Sequence, residues 1–138
     1  MSYAISISDI EEAAKRIDGV AVRTPLIESP LLNELAEGRV FVKAENLQNA
    51  GAFKFRGAYN RLCQFSKAEK AAGVLAFSSG NHAQGIALSA RMLGIKATII
   101  MPEDAPKLKV DSTRGYGAEV VFYAVSYTHL TLPTIYSV

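Results

Sequence analysis

Two short, largely apolar runs separated by one amphipathic segment constrain the fold of this chain more than any other feature. Val74–Phe77 and Ala97–Met101 contain no charged residue and have the length of strands buried on both faces. Between them, Asn81–Leu93 carries an apolar stripe at helical spacing and is followed by Gly94. A strand, a helix and a second strand with short connections are typical of a βαβ unit. The sequence therefore predicts an α/β fold built on a parallel sheet.

Similar signals place further elements on both sides of this unit. A helix is predicted to begin at Ser8, whose side chain would form a capping box with Glu11, and to end at Gly19. The remaining predicted elements are helices over 30–37, 57–68 and 106–114 and strands over 40–43 and 118–122. Ligands of such parallel sheets bind where strands end and loops lead into helices, so those loops are the first place to look for function.

Composition excludes several classes of function. The chain has 138 residues, 49% of them hydrophobic and 20% charged, which indicates one globular domain. Its net charge of +2 and its lack of a basic cluster predict no nucleic-acid partner. No apolar run is long enough to span a bilayer, and residues 1–5 do not resemble a signal peptide, so we expect no membrane partner and a cytoplasmic location. Cys63, the only cysteine, has no metal-ligand spacing, so no metal site is predicted.

One lysine stands in an unusual setting within the segment Gly51–Ala58, GAFKFRGA. Lys54 lies between Phe53 and Phe55, at the point where an apolar stretch becomes helix-forming. On this motif alone, an ordinary solvated lysine is slightly favoured. The alternative is a Schiff-base lysine, whose neutral amine would be favoured by desolvation between the aromatic rings and by the positive charge of Arg56. The flanking glycines would let backbone approach a flat cofactor closely.

A second polar segment, Ser78–Asn81, joins the predicted strand to the predicted helix. Serine and asparagine before a helix are good capping residues, which is a sufficient structural explanation. The functional alternative is an anion site, because the amides and dipole of a helix N-terminus attract a carboxylate or a phosphate. His82, by itself, is better explained as a structural or solvent-facing histidine than as a base.

Taken together, these motifs resemble the threonine/serine dehydratases. The residues that carry the resemblance are Lys43-x-Glu45, Gly51–Ala58, Ser78–Gly85 (SSGNHAQG) and Met101–Lys109 (MPEDAPKLK), over residues 7 to 123. That family contains pyridoxal-phosphate enzymes of the tryptophan-synthase β-subunit fold, and serine racemase is a close relative. The resemblance implies a fragment of a three-layer α/β fold with a parallel sheet, and pyridoxal 5'-phosphate as cofactor.

The resemblance also implies roles for individual residues. Lys54 would hold the cofactor covalently and move the substrate α-proton, with Phe53 near the cofactor ring and Asn81 bonded to its hydroxyl group. Ser79 matches the serine that acts on the opposite face of the cofactor in the racemase. The substrate carboxylate would bind to the loop formed by Ser78, Ser79, Gly80, Asn81 and His82. Position 52, often serine in the family, is Ala52 here, so no hydroxyl group acts from that position.

The activity implied is the conversion of threonine or serine to a 2-oxo acid and ammonia, in an enzyme expected to be a homo-oligomer. Serine racemase and 3-hydroxyaspartate dehydratase remain alternatives, and a non-catalytic anion-binding α/β module is the alternative from another class. In the family, the glycine-rich phosphate loop and the metal-binding acids follow later in the sequence than the motifs named above. We therefore expect residues 1–123 to be an incomplete catalytic domain that is inactive alone.

The segment 124–138 differs in composition from the rest. It contains no Asp, Glu, Lys, Arg or Gly and has neither a helical stripe nor strand alternation. Val125–Thr134 is similar to the translation of a transposase-type sequencing adaptor, which continues in this frame to a valine codon and a stop codon. We therefore predict that 124–138 is a non-native tail and that His129 has no function. A genomic read that encodes the same residues would refute this prediction.

Overall fold

Three parallel strands form the centre of the structure, a computed structural model that describes residues 5–124. The strands are β3 (Val74–Phe77), β4 (Ala97–Pro102) and β5 (Glu119–Tyr123), in the order β3-β4-β5. Val74 lies opposite Ala97, and Thr98 lies opposite Glu119. The predicted α/β class with a parallel sheet is confirmed. Residues 125–138 of the predicted tail lie outside the described residues.

Three helices build the core together with this sheet. Helix α5 (Asn81–Leu93) packs on β3 and β4, helix α6 (Lys107–Gly115) packs on β5 and α5, and helix α3 (Lys54–Leu62) packs on α5. Burying an aliphatic side chain fully contributes roughly 1.5–3 kcal/mol. The large side chains that are fully buried in this core are Leu62, Ile86, Ile99 and Met101.

Helix α5 has the bounds that the sequence predicts. Its apolar residues Ile86, Ala87 and Ala90 are buried, as the helical spacing requires. Gly94 follows the last turn with a left-handed φ of 68°, a conformation that favours glycine, and thereby ends the helix.

The N-terminal part contains helix α1 (Ile7–Ile17), helix α2 (Pro30–Leu35) and the antiparallel strands β1 (Leu26–Glu28) and β2 (Phe41–Lys43). The prediction for the start of α1 is wrong by two residues. Ser6, not Ser8, is the cap, and it forms the capping box with Asp9. The spacing Ser-x-x-Asp satisfies the same bonds two residues earlier in the chain, which leaves Ser8 inside the helix.

The predicted helix over 57–68 is also wrong in its bounds. Helix α3 begins three residues earlier, at Lys54, and a separate helix α4 covers Lys67–Ala72. The break arises because Ser66 and Glu69 form a second capping box that starts a new helix. Lys54 is therefore the first residue of a helix rather than part of the loop before it.

No helix within residues 5–124 is long and apolar enough to cross a membrane. In the same part of the chain, no three His, Cys, Asp or Glu side chains are placed to share a metal ion.

Candidate active site

Two tight turns lead the chain into helix α3 and place Lys54 at its start. Glu45–Leu47 and Asn49–Gly51 are short 3-10 turns, and Ala50 and Gly51 have left-handed φ values of 58° and 65°. Lys54 is exposed, and its Nζ atom lies 5.0 Å from the centre of the Phe53 ring. The amine therefore stands at the surface, above the face of an aromatic ring that attracts cations.

The buried amide of Gln48 attaches these turns to the segment at residues 20–22. Its Nε2 atom donates to the Val22 carbonyl oxygen at 2.8 Å, and its Oε1 atom accepts from the Val22 amide at 2.9 Å. The next residue, Asn49, donates from Nδ2 to the Val20 carbonyl oxygen at 2.9 Å. These bonds satisfy backbone groups of residues 20–22 and so hold the approach to Lys54 in one position.

A half-buried ion pair between Arg56 and Glu45 also holds the first turn of α3 in place. Arg56 donates from Nε and Nη2 to the two Glu45 carboxylate oxygens at 2.9 and 2.8 Å, and from Nη2 to the Val22 carbonyl oxygen at 2.9 Å. The hydroxyl group of Thr24 also donates to Glu45. The bonds from Arg56, with a smaller contribution from Thr24, lower the pKa of Glu45 to about 2 against the opposing effect of burial.

This ion pair changes the explanation of the lysine motif. Arg56 was expected to act on Lys54 as a positive neighbour, but its charge is paired with Glu45. Phe55 was expected to desolvate the amine, but it lies fully buried in the interior while Phe53 is 58% exposed. The predicted desolvation of Lys54 is therefore not present among the described residues. Glu45 and Arg56 act together here as structural support.

The loop after β3 presents the start of helix α5. The Ser78 amide donates to the Ile100 carbonyl oxygen at 3.1 Å, and the Gly80 amide donates to Ser78 Oγ at 3.2 Å. Gly80 is the N-cap residue and supplies no side-chain cap. A helix start capped by glycine suits an anion site, because its backbone amides and the positive end of the helix dipole attract an anion. Lys109 on α6 donates to Asn81 Oδ1 at 2.6 Å.

Gly85 brings the loop and the lysine together. A Cβ atom added at Gly85 would lie 3.2 Å from the backbone carbon and oxygen of Lys54 and from the Phe55 nitrogen, so α5 and α3 touch backbone to backbone. A cavity of about 260 Å³ lies beside this contact. Its lining residues are Phe53, Lys54, Gly57, Ala58 and His82.

The structure thus brings Phe53, Lys54 and His82, all of them predicted site residues, to one cavity. The predicted loop residues 78–81 immediately precede His82 in the chain. Ser79 and Asn81 are exposed, and Ser78 and His82 are half-buried.

Sequence reasoning missed the supporting residues Gln48, Gly85 and Lys109. Only Gly85 left a usable signal, since a glycine inside a helical stripe indicates a close packing contact.

The family of the chain follows from comparison with known proteins. The family model described as pyridoxal-phosphate dependent enzyme matches residues 17–131. The chain therefore belongs to this family, and pyridoxal phosphate is its cofactor, as expected.

Its relatives include both lyases and racemases. Over 118 residues it is 58% identical to the L-threo-3-hydroxyaspartate ammonia-lyase of Pseudomonas sp., covering 86% of this chain and 37% of that protein. Over 132 residues it is 46% identical to a catabolic L-threonine dehydratase of Staphylococcus aureus, covering 95% and 38%. The structure of maize serine racemase superimposes with a TM-score of 0.86 at 38% identity, covering 91% and 38%. The chain spans little more than a third of each of these relatives.

The cavity suits pyridoxal phosphate. Lys54 supplies an amine, and Phe53 supplies an exposed flat surface. Nothing lies within 4 Å of a Cβ atom placed at Gly57, so a ring has room to approach the backbone there. The α5 N-terminus offers amide groups to an anion. The residues present therefore fit the cofactor's aldehyde and ring, and the helix start fits an anionic group of a ligand.

Proposed function

We propose that the protein carrying this segment is a threonine/serine ammonia-lyase that releases a 2-oxo acid and ammonia. The observation that carries the proposal is the shared cavity: Lys54, from the start of α3, and His82, from the start of α5, line the same space. An amine beside an anion-binding helix start is the arrangement needed to hold an amino acid at its nitrogen and carboxylate ends. The substrates are small hydroxy amino acids, and the intact enzyme is proposed to be a homo-oligomer.

Each residue has one proposed task. Bound pyridoxal phosphate supplies an electron sink that makes the α-proton of an amino acid removable. Lys54 holds the cofactor and takes that proton at its amine. Asn81 donates a hydrogen bond to the ring oxygen, and Phe53 covers the ring. The amides and hydroxyl groups of Ser78, Ser79, Gly80, Asn81 and His82 orient the substrate carboxylate.

The net reaction balances without an added oxidant or reductant. The substrate loses its α-proton and β-hydroxyl group as water, and water then replaces the nitrogen, which leaves as ammonia. Threonine gives 2-oxobutanoate and serine gives pyruvate.

A 3-hydroxyaspartate ammonia-lyase is the second candidate, supported by the 58% identity to the Pseudomonas sp. enzyme. Serine racemase is supported by the maize structure, and Ser79 is then the proposed residue on the opposite face of the cofactor. The full-length protein is assayed with threonine, serine and L-threo-3-hydroxyaspartate, and both 2-oxo acid and D-serine are measured. The products distinguish the three candidate activities. The leading proposal would be overturned if 2-oxo acid were released mainly from L-threo-3-hydroxyaspartate, or if D-serine were the main product.

The cofactor site is tested by trapping. The full-length protein is mixed with pyridoxal phosphate, reduced with borohydride and mapped by mass spectrometry. We expect a stable adduct at Lys54 that is lost in Lys54→Ala. Lys67 is a matched control, because it is also the first, exposed residue of a helix. Equal labelling of Lys54 and Lys67 would favour the non-catalytic anion-binding module.

We further propose that the 138-residue chain alone is inactive, because it spans so little of its relatives. Incubation with pyridoxal phosphate and threonine is expected to give no 2-oxobutanoate. Turnover by this chain would show that the groups near Lys54 suffice for catalysis.

A further inference from the structure

We infer that Lys109 is a positioning residue that fixes the orientation of the Asn81 amide, so that the amide NH2 group is the one offered to a ligand. The predicted effect on cofactor binding rests on the proposed function, because Asn81 is the residue proposed to bond the ring oxygen of the cofactor. The contact itself is a feature of the chain without any ligand.

The two residues come from neighbouring helices and are 28 positions apart. Lys109 Nζ lies 2.6 Å from Asn81 Oδ1. Asn81 is the first residue of α5, and Lys109 is the third residue of α6, which packs on α5. Their separation in sequence hides the contact from any local pattern.

The first turn of α6 is held in place around Lys109. The Lys109 amide donates to the Pro106 carbonyl oxygen at 2.8 Å. Its own carbonyl oxygen accepts a 2.8 Å bond from the hydroxyl group of Thr113, a fully buried side chain. The lysine therefore extends toward Asn81 from a fixed backbone, although its long side chain is only half-buried.

The chemistry of the pair leaves one arrangement of the amide. An ammonium group has three donors and no acceptor, so it bonds only to the oxygen of an asparagine side chain. Rotation of the Asn81 amide by half a turn would place NH2 against NH3+, with two donors facing each other. With Oδ1 occupied, Asn81 faces a ligand as a donor, which suits an oxygen atom that carries negative charge.

The charge of Lys109 has a second effect on the same site. It lies at the N-terminal end of α5, where the helix dipole is positive, so the two effects add. Polarisation of the Asn81 carbonyl group by the ammonium also strengthens the NH2 donor. The pair therefore favours an anionic acceptor over a neutral one.

The contact is tested first in the 138-residue chain by NMR. The side-chain resonances of Asn81, carbonyl Cγ and the NH2 group, are compared in the parent chain, Lys109→Met and Lys107→Met. Lys107 is the matched control, because it is an exposed lysine on the same helix that pairs with Asp111 instead. We expect Asn81 to shift in Lys109→Met only, and to keep its parental positions in Lys109→Arg, which retains a donor. Unchanged Asn81 resonances in Lys109→Met, or equal shifts in both methionine variants, would overturn the inference.

The consequence is tested by pyridoxal phosphate binding to the full-length protein. Lys109→Met is expected to raise the Kd by roughly tenfold, the effect of weakening one hydrogen bond to a charged group. Because Lys109 acts mainly through Asn81, the same substitution in Asn81→Ala should cause a much smaller further loss than it causes in the parent, while Lys107→Met should bind like the parent. Additive losses would show direct contact between Lys109 and the ligand and would overturn the positioning role. If the parent protein fails to bind pyridoxal phosphate, the proposed function fails, and the NMR comparison still decides the contact.

Discussion

Replacing Gly85 with alanine places a methyl group against the backbone that carries Lys54. The new Cβ atom would lie 3.2 Å from three backbone atoms of Lys54 and Phe55, whereas ordinary contacts begin near 3.4 Å. The α3 side of the contact does not move easily. Phe55 is fully buried, and Arg56 is bonded to Glu45 one residue later.

The expected loss follows from two opposing effects. Replacing glycine with alanine inside a helix contributes about 1 kcal/mol of stability, whereas overpacking a tight interface costs about 1–3 kcal/mol. We therefore expect Gly85→Ala to lower the free energy of unfolding by about 1 kcal/mol. Gly57→Ala has the same helical gain and meets nothing within 4 Å, so it should raise the free energy of unfolding by about 0.5–1 kcal/mol.

Urea unfolding of the 138-residue chain, followed by far-ultraviolet circular dichroism, measures both variants against the parent. The difference between Gly85→Ala and Gly57→Ala isolates the contact, because the helical gain is common to both. A Gly85→Ala variant as stable as Gly57→Ala would show that α3 and α5 separate without resistance, and the close approach would then not position Lys54.

Three further predictions concern stability. Arg56→Met leaves the Glu45 carboxylate half-buried without its guanidinium partner, so it should lower the free energy of unfolding by about 2 kcal/mol. Arg39→Met, which breaks an exposed pair, should lower it by much less; similar losses in urea unfolding would contradict this. The pKa of Glu45 is about 2 in the folded protein, below its ordinary value of 4.5. Its contribution to the free energy of unfolding is therefore complete above pH 4.5 and is lost as the pH falls toward 2. Glu45→Gln should flatten the pH dependence of the urea midpoint between these two values. Gly94→Ala forces a φ of 68° on alanine and should lower the free energy of unfolding by about 1 kcal/mol; an unchanged thermal midpoint would refute it.

Local patterns predicted most of the parallel sheet and its helices. The bounds of β3 and α5 were predicted correctly, because continuous apolar residues and a glycine stop are sufficient signals over a few residues. Errors arose where two equivalent signals competed. Ser6 and Ser8 both precede an acidic residue at capping distance, and only the folded backbone shows which serine is extended.

The support of the candidate site was not predictable in the same way. Lys54 and the 78–82 loop were proposed as site residues from their residue types and from the family resemblance, but the contacts that hold them join distant positions. Glu45 and Arg56 are 11 positions apart, and Asn81 and Lys109 are 28 apart. Such pairs depend on how helices and turns pack, which no single window of sequence contains. The same limit applies to Arg56, whose partner Glu45 cannot be read from the residues around Lys54.

The position of the core residues in the sequence has a consequence for how the protein is synthesised and folds. The buried core cluster runs from Ala58 to Ala118, a single continuous stretch of chain. No residue beyond 118 is therefore needed to supply a side chain to this buried cluster. A ribosome adds about 5–20 residues per second, so in a longer protein all of these buried residues are present several seconds before the downstream segments are finished. The backbone contact at Gly85 that places Lys54 beside α5 uses only residues made in this early part of synthesis, so it offers a surface on which later segments assemble.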